Sequence, residues 1–159
     1  MSDDQDRPLP LDPDIETDED QSGRPLPVHM SPRFLLLVAV GGAFGTASRH
    51  LLGDAIGTTH DFPLGTFLIN IAGAFLLGVL LEGLARAGSD VGHRRRLRLL
   101  LGTGFLGGFT TYSSLAFDSD ALLRSDQVGT AAAYALGTVA IGLVASVAGI
   151  AFARRAVRS

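Results

Sequence analysis

A chain of 159 residues that is 47% hydrophobic and has no cysteine leaves room for one domain and excludes disulfides, thiolate metal sites and cysteine nucleophiles. Its formal charge of −3 at pH 7 is unevenly distributed, because residues 1–30 hold nine of the sixteen acidic residues and two of the thirteen basic ones. The remainder is basic, and its apolar residues lie in four blocks, which predicts a membrane protein rather than a soluble core.

Residues 1–30 are predicted to form a disordered acidic tail. The segment contains Asp12-Pro13-Asp14 and the run Thr17-Asp18-Glu19-Asp20, with many prolines and few apolar residues. Such a composition cannot bury enough apolar surface to offset the loss of chain entropy. The segment also lacks the basic start, short apolar core and small-residue cleavage site of a signal peptide, so removal on export is not expected.

Four windows of roughly 20 mostly apolar residues follow, the length that crosses a bilayer core as a helix. The predicted transmembrane helices are residues 34–52, 63–84, 97–117 and 128–152. Residues 31–156 are therefore predicted to form an all-α, four-helix transmembrane domain. The third window is unusual because its middle is rich in glycine and hydroxyl residues. A break is therefore expected at Gly107-Gly108, which Thr110-Thr111 follows. Gly41 and Gly45 are instead expected to allow close helix packing.

Arginine is distributed unevenly between the ends of these helices. The loop after the second helix and the C-terminal end are arginine-rich, whereas the other two loops carry little positive charge. The residues concerned are Arg86, Arg94, Arg95, Arg96, Arg98, Arg154, Arg155 and Arg158. The positive-inside rule predicts that this loop and both termini are cytoplasmic, in a multi-pass protein of the cell membrane.

Neutral hydrogen-bonding side chains lie at membrane depth, where lipid offers them no partners. Asn70 is near the middle of the second helix. Its amide either makes an interhelical hydrogen bond that holds the bundle together or lines a pore as a donor. Tyr134 and Thr138 are four residues apart and share one face of the fourth helix, and Ser113 and Ser114 could face the same path. Uncharged donors suit a small anion that must also leave again. Four thin helices hardly enclose a pore, which implies a dimer.

Other functions are weaker interpretations. An enzyme is not expected, because no Ser/His/Asp or paired-carboxylate set falls at membrane depth. A small four-helix drug/proton antiporter needs a carboxylate deep in the membrane, and Glu82 lies near a helix end. A non-transporting scaffold, in which Asn70 and the glycines serve packing alone, remains a further alternative and leaves the Gly-Gly-x-Thr-Thr stretch unexplained.

Two motifs carry a resemblance to a known family. The second helix contains Gly65-Thr66-Phe67-Leu68-Ile69-Asn70, and the third contains Gly-Phe-Leu-Gly-Gly-Phe-Thr-Thr-Tyr-Ser-Ser over residues 104–114. In this order, and with Gly45 and Arg49 of the first helix, they resemble the FluC/CrcB fluoride channel family over about residues 33–155. The resemblance implies an antiparallel dimer with two narrow pores that lowers cytoplasmic fluoride, and so fluoride toxicity, by passive efflux.

The resemblance also implies roles for particular residues. The carbonyl groups of Gly107 and Thr110 would hold a structural sodium ion that is not transported, and Arg49 and Gly108 would have structural roles. The residues that it places along the fluoride pore are Asn70, Tyr112, Ser113, Ser114, Tyr134 and Thr138.

Two positions depart from the family, which has two phenylalanines that face the ion. Those places are Tyr112 and Leu115 here, and Leu115 has no ring edge to offer an anion. Because the arginine distribution fixes one orientation, an antiparallel dimer needs an oppositely oriented partner. We therefore expect a heterodimer with an oppositely oriented paralogue, or otherwise a dimer of this chain with itself.

Overall fold

The computed structural model describes residues 17–19, 25–27, 31–56 and 62–156. The chain divides into two compact units, Met1–Leu36 and Leu37–Ser159. In the first unit, strands β1 (Thr17–Glu19) and β2 (Pro25–Pro27) pair in antiparallel register, with Asp18 opposite Leu26. The prediction of a disordered tail otherwise falls on residues that lie outside the described part of the chain.

The remaining described elements are helical. They are α1 (Pro32–Ile56), α2 (Leu64–Ala87), α3 (His93–Leu97), α4 (Gly107–Phe109), α5 (Tyr112–Arg124) and α6 (Val128–Ala156), with a π-helical segment, Arg98–Leu106, that joins α3 to α4. Long helices thus occupy the first, second and fourth predicted windows. Within the described ranges, three helices, α1, α2 and α6, are long and apolar enough to cross a membrane.

The third predicted window is not one helix. A continuous helical stretch runs from His93 to Phe109, and α5 begins at Tyr112. Between them, Thr110 (φ −78°, ψ 154°) and Thr111 (φ −150°, ψ 124°) have extended backbones. The expected break exists, but its predicted position at Gly107-Gly108 is wrong, because both glycines are helical and the threonines are not.

The contacts of Gly108 and Thr111 explain this position. A Cβ atom on Gly108 would lie 2.5 Å from the carbonyl oxygen of Gly42 and 3.0 Å from the hydroxyl oxygen of Thr46, so the glycine lets α1 approach closely. Thr111 instead caps α5, since its hydroxyl oxygen accepts a hydrogen bond from the Ser114 backbone N–H at 3.1 Å. The glycine therefore serves packing, and the threonines form the break.

Glycine also sets the distance between α1 and the π-helical segment. A Cβ atom on Gly41 would overlap the carbonyl oxygen of Leu100, and one on Gly45 would overlap that of Phe105. The prediction that these two glycines allow close packing is confirmed. Contacts of the same kind join α2 to α6, where Cβ atoms on Gly78 and Gly149 would overlap the neighbouring backbone. The backbones of the helices around the break are therefore held close together.

Gly45→Ala is expected to destabilise the folded protein by about 1–3 kcal/mol, the usual cost of overpacking. The added methyl group would overlap the carbonyl oxygen of Phe105. Gly137→Ala is a matched control, because a Cβ atom there meets nothing within 4 Å. It should leave stability unchanged or raise it by up to about 1 kcal/mol through helix propensity. Thermal unfolding in detergent measures both, and equal melting temperatures would contradict the packing role of Gly45.

Candidate functional site at the helix break

Asn70 of α2 bridges the backbone of the break. Its side-chain Nδ2 donates to the Thr111 carbonyl oxygen at 3.1 Å, and the Thr111 backbone N–H donates to its Oδ1 at 2.8 Å. Both backbone groups of an extended residue, which lipid cannot satisfy, are thereby paired. Of the two roles that the sequence allowed for Asn70, the interhelical hydrogen bond is therefore present. A primary amide has two donor hydrogens, so Nδ2 keeps one for another acceptor.

Arg49 of α1 connects the two sides of the break. Its Nε donates to the Gly108 carbonyl oxygen at 3.2 Å, and its Nη1 donates to the Ser114 hydroxyl oxygen at 3.3 Å. The hydroxyl of Thr46, one turn earlier in α1, also donates to the Gly108 carbonyl oxygen at 3.4 Å. Because the planar guanidinium carries several donors in a fixed arrangement, Arg49 fixes the end of α4 relative to the start of α5.

The break deprives two carbonyl groups of their helical donors. In an uninterrupted α-helix, the N–H groups of Thr111 and Ser114 would bond the carbonyl oxygens of Gly107 and Thr110. The Thr111 N–H instead donates to Asn70, and the Ser114 N–H donates to the Thr111 hydroxyl. These are the two carbonyl groups that the resemblance assigns to sodium. Carbonyl groups at the C-terminal end of a half-helix are suitable ligands for such a cation.

A cleft with a volume of about 520 Å³ opens beside the break. It is lined by Arg49, His50, Gly53, Asp54, Pro63, Gly65, Thr66, Ile69, Thr111, Ser114 and Asp118. Of the predicted pore residues, Ser114 lines it. The Ser114 hydroxyl oxygen accepts hydrogen bonds from Arg49 and from the Thr111 hydroxyl at 3.3 Å each, and its own hydrogen is available to donate. The cleft therefore combines neutral donors with charges of both signs, the guanidinium of Arg49 and the carboxylates of Asp54 and Asp118.

Tyr134 and Thr138 lie behind the wall of this cleft. Their exposed fractions are 0% and 5%, and neither residue lines the cleft. The Tyr134 hydroxyl donates to Asp118 Oδ2 at 3.0 Å, and the Thr138 hydroxyl donates to the Tyr134 carbonyl oxygen at 2.6 Å. The Phe62 ring packs edge-on against the Tyr134 ring, with centroids 5.4 Å apart. The two residues share one helix face, as their spacing predicted, and that face is buried.

The predicted residues of α5 point in different directions. Tyr112 has 81% of its surface exposed, whereas Leu115 has 8% exposed and belongs to a core cluster with Leu122 and Tyr134. Ser113 shares a hydrogen bond with the Thr111 hydroxyl at 3.0 Å. The two positions that hold phenylalanine in the family therefore have different environments here, with Tyr112 facing out of the subunit and Leu115 packed inside it.

Asp118 is one of the cleft residues that were not predicted from the sequence. The third predicted window ends at Phe117, one residue before Asp118. Asp118 follows Ser114 by four residues, which places both on one face of α5, and both line the cleft. The spacing of one helical turn from Ser114 is the signal in the sequence that points to Asp118.

Glu82 lies near the C-terminal end of α2, where two arginines pair with it. Its Oε1 accepts hydrogen bonds from Arg86 Nε at 2.7 Å and from Arg154 Nε at 2.9 Å, in ion pairs at the C-terminal ends of α2 and α6. A carboxylate with two arginine partners is not the isolated proton-exchanging group that an antiporter requires.

Fold and site together define a multi-pass membrane protein with a helical membrane domain and a hydrogen-bonded break in one helix. Residues 36–150 match the family described as CrcB-like protein, Camphor Resistance (CrcB). The chain belongs to this family, which confirms the resemblance drawn from the two motifs.

Curated relatives share much of the chain. The chain is 54% identical over 125 residues to fluoride-specific ion channel FluC 2 of Leifsonia xyli subsp. xyli, which covers 79% of this chain and 86% of the relative. It is 45% identical over 123 residues to fluoride-specific ion channel FluC of Phenylobacterium zucineum, covering 76% and 95%. It is 46% identical over 112 residues to fluoride-specific ion channel FluC 1 of Cutibacterium acnes, covering 70% and 78%.

Proposed function

We propose that this chain is a subunit of a fluoride-specific ion channel that lets fluoride leave the cytoplasm passively and so reduces fluoride toxicity. The observation that carries the proposal is the polar break at Thr110–Thr111, bridged by Asn70 inside a bundle of apolar helices. Irregular backbone at membrane depth is tolerated where it is buried in protein or lines a polar cavity. The identity of the ion comes from the relatives, which are named fluoride-specific ion channels.

Positive groups at the break would attract an anion there, while Asp54 and Asp118 add negative charge to the cleft lining. Thr111 and Ser114 line the cleft at the start of α5, where the N-terminal end of the helix carries a partial positive charge. The guanidinium of Arg49 adds a full positive charge that is already hydrogen-bonded within the protein. A fluoride ion in the cleft would meet these groups and the free hydrogen of Ser114. Asn70, Tyr112, Ser113, Tyr134 and Thr138 would continue the path.

The same break would hold a structural sodium ion. Gly107 and Thr110 would supply their carbonyl oxygens, whose usual helical donors are bonded elsewhere. Bound there, the cation would neutralise the negative ends of these carbonyl dipoles and would not itself be transported. The side-chain bonds from Asn70 and Arg49 hold the backbone in the extended form that presents the two oxygens.

The distribution of arginine supports an orientation with both termini in the cytoplasm. Glu82 joins Arg86 to Arg154, which places the C-terminal ends of α2 and α6 together at one end of the bundle. Arg94 contacts the same end through the Ser89 carbonyl oxygen at 2.7 Å. A positive cluster of this kind is retained on the cytoplasmic side.

The channel would be an antiparallel dimer in which the broken third helix also crosses the membrane. Tyr112, Phe117 and Phe44 are large exposed side chains, and a partner subunit could cover them. Since this chain has one strongly favoured orientation, we propose that its partner is an oppositely oriented paralogue. A dimer of this chain with itself is the alternative, and purification of this chain alone as a stable antiparallel dimer would favour it.

Fluoride efflux from liposomes tests the function. Vesicles that contain this chain together with a candidate partner should release fluoride and retain chloride, and vesicles that contain the chain alone are compared with them. Efflux from the chain alone would establish a self-sufficient channel and contradict the obligate heterodimer, whereas efflux that needs the partner would support the heterodimer. Absence of efflux in both preparations would contradict the channel and favour a scaffold.

Removal of sodium is expected to abolish efflux while the protein stays in the membrane. Without the cation, the carbonyl groups of Gly107 and Thr110 would face each other across the dimer and repel. Efflux is measured after purification and assay in sodium-free buffer, with potassium in its place, and again after sodium is restored. Unchanged efflux without sodium, in protein shown by elemental analysis to hold none, would contradict the structural sodium site.

A further inference from the structure

The hydroxyl hydrogen of Tyr134 already has an acceptor. A phenol donates one hydrogen bond, and that of Tyr134 goes to Asp118 Oδ2 at 3.0 Å. The same side chain has no exposed surface, so an ion in the cleft does not reach it in this arrangement. A residue expected to donate to fluoride therefore donates to a carboxylate of the protein itself.

Asp118 stands between the cleft and the phenol. It lines the cleft together with Ser114, which precedes it by one helical turn, and its carboxylate contacts the Tyr134 hydroxyl behind the cleft wall. A carboxylate oxygen here is in the position that a small anion would take to accept the same hydrogen bond. The hydrogen bond is charge-assisted, and such bonds are roughly twice as strong as neutral ones.

The other charged residues around the cleft have partners other than Asp118, so its negative charge acts on an entering anion. Asp54 lies 3.5 Å from His50 Nε2, and Arg49 holds the Gly108 carbonyl oxygen and Ser114. An entering anion is attracted by Arg49 and repelled by Asp118. To reach Tyr134 it must displace the carboxylate, which requires a change in the rotamer of one short side chain on α5.

We propose that Asp118 is a tethered anion that competes with fluoride for the hydroxyl of Tyr134 and so sets the fluoride concentration at which this part of the path fills. The inference rests on the proposed fluoride function and adds a concentration-setting residue to it. The carboxylate keeps the phenol hydroxyl paired at low fluoride, and fluoride replaces the carboxylate as the concentration rises.

A titration followed by NMR tests this competition directly. The chain has two tyrosines, so ¹³C labelling of the tyrosine ring gives two phenol signals, and Tyr112→Phe assigns them. Full-length protein in detergent micelles is titrated with sodium fluoride. Asp118→Asn keeps the size of the side chain and an acceptor oxygen but removes the charge. The half-saturating fluoride concentration of the Tyr134 signal should fall at least about tenfold in this variant.

Asp120→Asn is the matched control. It removes a carboxylate from the same helix, two residues further on. Asp120 Oδ2 lies 2.6 Å from Arg124 Nε, and this ion pair is not part of the cleft lining. Its titration should match that of the unchanged protein. Asp118→Ser provides a second variant with the same expected shift if the asparagine variant does not fold. Equal half-saturation in the Asp118 variants and the unchanged protein, or no fluoride response of Tyr134 in any of them, would overturn the proposal.

Efflux from liposomes made with the same preparations separates this inference from the channel function. Efflux from the unchanged protein with no titration difference in Asp118→Asn would overturn the competition and leave the channel intact. A titration shift in Asp118→Asn without efflux from any preparation, including those to which the candidate partner is added, would support the competition and overturn the channel.

Discussion

Replacing Asn70 by alanine is expected to abolish measurable fluoride efflux. The substitution removes both hydrogen bonds to Thr111, at 3.1 and 2.8 Å, and leaves a backbone N–H and a carbonyl without partners inside the bundle. Each unsatisfied buried group costs about 1–3 kcal/mol. Two such groups correspond to a loss of roughly 30-fold or more in the population of the correctly formed break. The extended backbone at Thr110–Thr111 should then no longer persist.

Leu68→Ala is the control for this experiment. Leu68 lies two residues earlier in α2 with its side chain exposed, so its truncation removes apolar surface without touching the break. Efflux and thermal unfolding are measured on both variants. A channel requires Asn70→Ala to lose efflux, and a scaffold requires only a loss of stability. Full efflux from Asn70→Ala in a folded protein would contradict the role of the amide in the path.

The membrane helices and the family could be predicted from the sequence, because both depend on local patterns. Apolar windows of membrane length locate α1, α2 and α6, and the spacing of Gly41 and Gly45 indicates a close helix contact that the structure confirms. The site of the break was less predictable. Gly107-Gly108 and Thr110-Thr111 are both poor helix formers, and the choice between them depends on which residues α1 touches.

The arrangement of the site depended on tertiary contacts in the same way. The spacing of Tyr134 and Thr138 places them on one face of α6, but it does not say that α5 covers this face with Leu115 and Asp118. The partner of Asn70 was likewise open, because a single polar residue in a helix does not identify the backbone it meets. These contacts join residues that are far apart in the sequence, such as Asn70 and Thr111, which are separated by 41 positions.

Arg49→Gln is expected to lower both stability and fluoride efflux, whereas Arg49→Lys should lower stability and retain part of the efflux. Arg49 reaches the Gly108 carbonyl oxygen and the Ser114 hydroxyl through two different nitrogens. A single lysine ammonium lacks the planar arrangement of donors that spans both acceptors, so each variant should lose about 1–3 kcal/mol of stability. Lysine keeps the positive charge that attracts an anion to the cleft, and glutamine does not.

The dependence of efflux on ionic strength separates the charge of Arg49 from its hydrogen bonds. Salt screens an exposed charge, so added inert salt should slow entry into the unchanged channel and Arg49→Lys more than into Arg49→Gln. Arg124→Gln is the control, since Arg124 forms a solvent-exposed ion pair with Asp120 and its loss should leave stability and efflux nearly unchanged. If Arg49→Gln matched the unchanged protein in melting temperature and efflux, Arg49 would neither fix the break nor attract the anion. A loss of efflux in Arg49→Gln with no difference in salt dependence would mean that its hydrogen bonds across the break, and not its charge, support conduction.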